Sequence, residues 1–545
     1  MNSELSLRGK ARGASRRRDL RSALCFGALI VMAAIGGAAR AQPFDTPPLP
    51  AAPRPLAIAT PTEQRLHNGL RVVLAARPGV RLVTAQLLVL SGSEVDPPQR
   101  AGLASMVAGL LTKGTQGRSA SAQAREAESL GGSLDSGAGW NQSQVSITVT
   151  VTQLDAALGL LADAVLRPAF AQAELERLRA QALDGLKVAY SQPATLASLA
   201  ADRLVFGNRP YGHPADGTPA SLPRITRADL LALHRAHYRP DNAVLVLAGD
   251  LDDATALRLA ARHFGAWQAA RTGPPASAVS WATLPTQSGR AAASDQPPPW
   301  VAVDMPKADQ AAVVVAVPMP PLGADRATAA VLNAVLGSDF SSRLNQEIRI
   351  RRGLSYGVGS QLDARPQGGT LRVTVQTRNA TAAEVVALVR AELDRLIDAP
   401  VPPAELAARK AALVGAFGRS TETTAGLGHA LRSLVVAGLP VSELRRRIDA
   451  LSVVTPDAVQ IFAAGHLGAD RRRVVVAGES AEFTAALRTQ TEAQTQAQAQ
   501  TAAQAQTETR AQARTQEHAK KQARSLVIVK AAGLDFERDD GWPPP

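Results

Sequence analysis

The sequence predicts an α/β (α+β) protein made of two tandem homologous domains. Each would be a β-sheet covered by helices, and the pair could close as a clamshell around something between them. The prediction depends on segments of the first half that reappear in the second half at an offset of about 230 residues. The matching segments are a strand before a helix, a Pro-containing entry into a helix, and an apolar strand ending in Gly-Asp or Gly-Glu: residues 144–151 with 371–376, 168–175 with 401–406 and 244–250 with 473–479.

Apolar spacing and turn residues predict the elements of the first domain. Asn68-Gly69 predicts a hairpin turn followed by a strand, and the apolar run 83–90 predicts a second strand. Apolar residues at helical spacing predict a helix that opens at Gly102 and closes at Lys113-Gly114. The remaining predicted elements are, in order, helix 121–130, strand 145–151, helices 154–166, 172–190 and 227–237, strand 243–248 and helix 254–264.

Shifts in composition divide the chain. We predict, in order, a signal peptide over 1–41, a Pro-rich leader over 42–61, the first domain over 62–268, a linker over 269–299, and the second domain over 300–545. The second domain contains a Gln/Ala-rich low-complexity insert over 487–524. That insert has no apolar stripe to bury, so a fraying exposed helix and a disordered segment are both open interpretations.

The N-terminus has the pattern of an export signal. Basic residues up to Arg21 precede the apolar run 23–35, and Ala39-Arg40-Ala41 fits a cleavage site. The run is too short to span a bilayer comfortably, so we predict its removal, a periplasmic location and no stable membrane anchor. The only cysteine, Cys25, lies inside the signal, which excludes disulfides and thiol catalysis in the mature chain.

The charge of the chain argues against nucleic-acid binding. The formal net charge of +13 falls to roughly +7 without residues 1–41, because that segment holds eight Lys/Arg and two Asp/Glu. The other basic residues are dispersed through helical patterns and form no stripe interleaved with aromatic residues.

The opening helix lacks the residues with which a known family binds zinc. Segment 102–115 resembles the G-x-A-H-x-x-E-H-x-x-x-x-G-T helix of the pitrilysin/insulinase zinc peptidases, and the resemblance extends over roughly residues 60–483. In that family the two His and a Glu 76 residues further on bind zinc, and the Glu of the motif is the general base. The matching positions here are Ser105 and Gly109 for the His pair, Ala108 for the base and Gly185 for the third ligand, and Leu178 matches a supporting acid. Ser is a poor zinc ligand and the other residues offer no ligand atom, so the resemblance implies a degenerate site without metal or other cofactor.

Other residues could in principle supply chemistry. His234 and His237 share a predicted helix without a carboxylate on the same face, and His213 lies in a Pro-Tyr-Gly-His-Pro loop; we interpret all three as structural. Ser105 has no His or Lys at a spacing that would activate it as a nucleophile.

The second domain contains a further motif. Residues 341–356 resemble the family's S-R-L-x-x-x-x-R-x-x-x-G-L-x-Y pattern, and they predict a helix that ends at Gly353 and a strand that begins near Leu354. In catalytic relatives the residues that match Arg349 and Tyr356 reach the bound peptide, so the resemblance implies substrate-binding roles for both. The alternative is a solvated Arg at a helix end and a packed strand Tyr.

Together these features predict a catalytically inactive pitrilysin-family subunit that is no enzyme on its own. It would pair with a zinc-bearing homologue in a hetero-oligomer and help to enclose an extended peptide during peptide or protein processing. Such peptides typically add to a sheet edge. Only four residues, 337–340, stand where the zinc-less mitochondrial processing subunit has a long glycine-rich loop, so presequence recognition is not predicted. The alternative function is a stand-alone periplasmic peptide-binding or scaffold protein.

Overall fold

A computed structural model describes residues 60–268, 299–505, 526–534 and 536. The predicted signal peptide, nearly all of the leader and of the linker, and the Gln/Ala-rich segment after residue 505 lie outside these residues. None of the helices that the structure describes is both long enough and apolar enough to cross a membrane.

The first half of the fold is a mixed sheet with helices packed on it. The strands of the sheet are β1 (Thr62–Arg65), β2 (Arg71–Ala76), β3 (Leu82–Val89), β6 (Asp135–Ala138), β7 (Ser143–Thr150) and β8 (Ala243–Gly249). Two short strands, β4 (Gly114–Thr115) and β5 (Arg118–Ser119), pair with each other in a separate two-stranded sheet of this half. Its helices are α1 (Leu103–Leu110), α2 (Ala120–Ser129), α3 (Leu154–Leu166), α4 (Gln172–Tyr190), α5 (Pro193–Phe206), α6 (Arg227–His237) and α7 (Asp253–Phe264).

The second half repeats this plan. Its strands are β9 (Trp300–Asp304), β10 (Ala311–Met319), β11 (Val358–Asp363), β12 (Gly369–Thr377), β13 (Arg473–Gly478) and β14 (Leu526–Lys530). Its helices are α8 (Arg326–Leu336), a π-helix (Asn345–Arg351), α9 (Ala382–Asp398), α10 (Pro403–Ser420), α11 (Thr424–Val436), α12 (Glu443–Ser452), α13 (Pro456–His466) and α14 (Thr484–Ala505).

The two sheets have the same strand order. The first is ordered β1-β2-β8-β3-β7-β6, and the second, read from the corresponding edge, is β14-β9-β13-β10-β12-β11. The central pairs agree in direction as well, because β2 lies parallel to β8 and β9 lies parallel to β13. The predicted two-domain α/β duplication is therefore confirmed. The first edge differs: β1 is antiparallel to its neighbour and precedes it, whereas β14 is parallel to its neighbour and comes from the end of the chain.

Each half contributes a helix to the other half's sheet. The side chains of β8 alternate: Leu245 and Leu247 pack in the first half's own core, whereas Val244 and Val246 pack against α11 of the second half. Conversely, α5 of the first half packs on β10 and β13. Both faces of each sheet are thus covered, which is why β8 and β10 carry no polar side chain. The sequence did not lead us to expect either of these helices.

A buried arginine also joins the halves. The guanidinium carbon of Arg365, in the loop between β11 and β12, lies 4.6 Å from the ring centroids of both Trp140 and Tyr211. Arg365 also pairs with Asp363 of its own half. Aromatic rings from the first half therefore contact a cation of the second half at a site shielded from water.

Two boundaries differ from the expectation. Gly353 has the left-handed φ of +62° that favours glycine after a helix, but the next strand starts at Val358 rather than near Leu354. Helix α14 runs into the segment 487–524, and its Leu487 and Thr491 are buried. The low-complexity composition therefore begins inside a helix whose first turns pack on the second half.

Candidate functional site

The loop before α1 fixes the start of that helix. Gly102 has a φ of +90°, and a Cβ placed on it would lie 2.8 Å from the Cα of Gly217. Only glycine satisfies both constraints. The Asp96 carboxylate accepts hydrogen bonds from the N–H groups of Gly102 and Ala104, both at 2.9 Å. Asp96 therefore caps amides that have no partner inside the helix.

Glu94 lies in the same loop and is almost fully buried. Its carboxyl oxygen accepts a hydrogen bond from the N–H of Gly92 at 2.8 Å, but burial raises the pKa of Glu94 to about 8. At neutral pH the loop therefore carries mainly an uncharged acid. No sequence pattern distinguished this buried Glu from a solvated one.

The residues that match the family's zinc ligands and general base, which we call the degenerate positions (Ser105, Ala108, Gly109 and Gly185), lie on α1 and α4. Ser105 is partly exposed and its hydroxyl donates to Asp216 at 3.3 Å. Among the described residues no other hydrogen-bond partner of this hydroxyl is found, so it has no His or Lys to activate it as a nucleophile.

The structure places Gly109, which matches the second His of the family, next to Leu178, which matches the supporting acid. A Cβ placed on Gly109 would lie 3.0 Å from the Cδ2 of Leu178, so this leucine occupies the space beside the helix. Ala108 is fully buried. Gly185 is exposed, and a Cβ placed there would meet no atom within 4 Å.

These residues do not fit a zinc ion. A structural or catalytic zinc site needs three or four ligands from His, Cys, Asp or Glu side chains. The degenerate positions supply one hydroxyl and no other side-chain donor, and the Cδ2 of Leu178 would have to shift to admit a side chain at position 109. Elsewhere in the described parts of the chain, no group of three or more such side chains is arranged to hold a metal.

The histidines that we singled out are held in separate contacts. His234 stacks on Tyr238 with ring centroids 4.6 Å apart, and its Nε2 lies 2.8 Å from the carbonyl oxygen of Val165. Burial lowers the pKa of His234, so it is neutral at physiological pH. His237 contacts the hydroxyl of Ser91 through Nδ1 at 3.0 Å, and His213 is buried. These contacts agree with structural roles.

The terminal strand β6 runs beside α1. Among the residues that the structure describes it pairs with β7 alone, and the hydroxyls of Thr112 and Ser136 lie 3.3 Å apart between the end of α1 and this strand. Its outer side therefore presents backbone N–H and C=O groups, which is the surface to which an extended peptide can add.

The partly buried Arg349 lies against two exposed aromatic residues, Tyr356 and a residue that the motif did not include, Phe340. The guanidinium carbon of Arg349 lies 4.9 Å from the ring centroid of Phe340 and 5.1 Å from that of Tyr356. Phe340 is 59% exposed and Tyr356 is 91% exposed. Tyr356 is therefore not the packed strand residue of the alternative interpretation. An isolated aromatic residue before a helix, in a chain with only 3% aromatic residues, was the available signal for Phe340.

Protein-family models match segments in both halves of this chain. The model of the insulinase family (peptidase family M16) matches residues 71–215, and the model named peptidase M16 inactive domain matches residues 224–413. Together the two models cover more than half of the 545 residues. The chain therefore belongs to the pitrilysin, or insulinase, family of M16 peptidases.

Several members of the family are similar over most of this chain. An uncharacterized zinc protease of Mycobacterium tuberculosis is 29% identical over 362 residues, which are 66% of this chain and 80% of that protein. A protein named non-peptidase homolog YmxG, from Helicobacter pylori, is 25% identical over 69% of this chain and 84% of its own length. A crystal structure described as the peptidase M16 inactive domain from Pseudomonas fluorescens matches with a TM-score of 0.68 and 26% identity, covering 77% of this chain and 98% of that one.

Proposed function

We propose that this protein is a catalytically inactive pitrilysin-family subunit that pairs with a zinc-bearing homologue and helps to enclose an extended peptide during processing. We further propose that it acts in the periplasm after export. The observation that carries the proposal is the joint replacement of both His, the general base, the third ligand and the supporting acid.

The packing beside α1 supports the loss of hydrolysis. Leucine at position 178 and glycine at position 109 are matched to each other, since the leucine side chain lies where a larger residue at 109 would extend. A single lost ligand could be restored by one substitution. Here the surrounding side chains have changed as well, so the site is apolar where the family's reaction needs charge. The name of the Helicobacter pylori relative, a non-peptidase homolog, agrees with this proposal.

The covered sheets support a role for strand edges in peptide binding. Because α5 and α11 cover the second face of each sheet, a peptide cannot lie flat on either sheet without displacing buried apolar residues. The outer side of β6, Arg349 and the exposed Tyr356 remain available to it. In our proposal the peptide adds to β6 through its backbone, and Arg349 and Tyr356 contact it from the second half.

The test is to purify the full chain and measure its bound zinc and its cleavage of unstructured peptides, alone and mixed with a zinc-bearing M16 protein from the same cell. We expect less than one-tenth of a zinc ion per chain, no cleavage alone, and cleavage by the mixture above that of the zinc protein by itself. Stoichiometric zinc with cleavage by the lone chain would refute the proposal. Peptide binding by a lone chain that forms no complex with the zinc protein would instead favour the stand-alone peptide-binding function.

A further inference from the structure

The arginines around the π-helix differ in how their charges are balanced. Arg349 has no carboxylate within ion-pair distance among the described residues, and its near neighbours are the rings of Phe340 and Tyr356. The surrounding arginines all have acidic partners: Arg343 pairs with Glu405, Arg351 and Arg352 pair with Glu347, and Arg409 pairs with Asp339.

Stacking leaves the hydrogen-bonding capacity of Arg349 available. A guanidinium group has five N–H donors in its plane, and a ring contact provides none of them with a lone-pair acceptor. The two rings hold the charge in place through cation–π attraction, while the donors still need an oxygen partner. A carboxylate is the acceptor whose geometry best fits such a fork.

The two exposed rings sit on backbone that is held firmly. Arg409 donates to the carboxylate of Asp339 at 2.9 Å and to the hydroxyl of Ser341 at 2.6 Å, so both neighbours of Phe340 are fixed. Beside Tyr356, the hydroxyl of Ser355 donates to the carbonyl oxygen of Gly357 at 2.7 Å. Aromatic side chains that are exposed on a fixed backbone lose little entropy on binding, which is typical of contact residues at interfaces.

We propose that Phe340, Arg349 and Tyr356 form a subsite for a carboxylate group of the bound peptide, with an apolar neighbour of that carboxylate packing on the two rings. This inference depends on the proposed function, because it names the class of peptide that the same surface binds. Phe340 is the specificity-determining residue that the family motif does not contain. The positive net charge of the chain favours the approach of acidic peptides to this subsite.

The carboxylate has two possible sources, the side chain of Asp or Glu and the C-terminus of the peptide. Three fluorescein-labelled twelve-residue peptides of Ala, Ser and Leu distinguish them. One carries a central Glu and an amidated C-terminus, the second has Gln in place of Glu and the same amide, and the third has Gln and a free C-terminal carboxylate. Their dissociation constants are measured by fluorescence anisotropy with the purified full chain.

We expect the wild-type chain to bind at least one carboxylate peptide about tenfold more tightly than the Gln amide, as a charge-assisted hydrogen bond allows. Arg349→Gln should abolish this difference, and Phe340→Ala should weaken binding of the preferred peptide several-fold. Arg351→Gln is the matched control, because Arg351 is an exposed neighbour that already pairs with Glu347, and it should retain the preference.

Three outcomes would overturn the inference, and they differ in what they say about the proposed function. Equal binding of all three peptides by the wild-type chain, or a preference that survives Arg349→Gln, would show that this surface contacts peptides without recognising a carboxylate, and the proposed function would stand. If the wild-type chain binds none of the peptides, alone or in complex with the zinc protein, the peptide-binding function fails together with the subsite.

Discussion

Replacing Leu431 with Ala in α11 tests whether the second half of the chain stabilises the first half's sheet. Leu431 is fully buried and packs in one cluster with Val73, Leu88 and Val244 of that sheet. Removing its side chain leaves a cavity lined from both halves. Leu-to-Ala substitutions in protein cores cost about 2–5 kcal/mol, depending on how far the surroundings collapse.

Hydrogen exchange followed by mass spectrometry locates this loss. At the low end of the range, about 2 kcal/mol, exchange through the affected opening becomes about thirtyfold faster, since each 1.4 kcal/mol is a factor of ten. We expect faster exchange in β8 and β3, although the substituted residue lies about 180 residues after β8 and about 340 residues after β3 in the sequence. Leu393→Ala is the matched control, because Leu393 is equally buried but packs only with residues of the second half.

The two variants should therefore differ in where exchange rises most. Leu431→Ala should act on β8 and β3, and Leu393→Ala should act on β10 and β12. If Leu431→Ala leaves the protection of β8 unchanged while it destabilises α11 itself, the reciprocal covering of the sheets does not contribute to their stability, and our reasoning is wrong.

Three further predictions concern Glu94, Arg365 and the degenerate positions. Glu94→Gln should reduce a fall in stability between pH 4.5 and about 8, because in that window the folded carboxyl keeps a proton that the unfolded chain releases. Burial raises the pKa of the neighbouring Asp96 as well, so part of the fall should remain in the variant. The slope is at most about 1.4 kcal/mol per pH unit, and urea unfolding at several pH values checks it; an unchanged slope in the variant would contradict the burial of this acid. Arg365→Ala should lower the melting temperature, because it removes a cation packed between rings of the other half. Arg365→Lys should recover only part of the lost melting temperature. Equal melting temperatures of the wild-type chain and both variants would argue against the contact. Restoring the family's three zinc ligands and its general base at the four degenerate positions should give less than one zinc per chain, because the side chain introduced at Gly109 meets Leu178. Adding Leu178→Glu should raise the zinc content measured by atomic absorption. Full occupancy without that change would show that the leucine is no obstacle.

The repeated strands were predictable because their patterns are local. Residues 244–250 and 473–479 are apolar runs that end in Gly before an acid, and they became β8 and β13 at equivalent places in the two sheets. The alignment of the degenerate positions depended on the spacing within α1 and on the family's interval of 76 residues from the second His to the third ligand, and the proximity of Gly109 and Leu178 agrees with it.

The covering helices α5 and α11 were missed because their partners lie far away in the sequence. Each helix has few charged residues, because much of its surface is buried. The strands that bury it belong to the other half of the chain. The continuous apolar character of β8 and β10 was a usable sign, since a strand covered on one face only should alternate with polar residues. Phe340 was missed for a different reason, because one aromatic residue in a loop has no periodicity to read.

The edge strand β14 has a practical consequence for anyone who shortens this protein. It returns after the Gln/Ala-rich segment to lie against β9, and its Val529 is buried beside Val301 and Val303. A truncation at residue 505 would remove this strand and expose the apolar strand β9 as the new edge of the sheet. The unpaired N–H and C=O groups of an exposed apolar edge strand pair with strands of other molecules, so the shortened protein should aggregate.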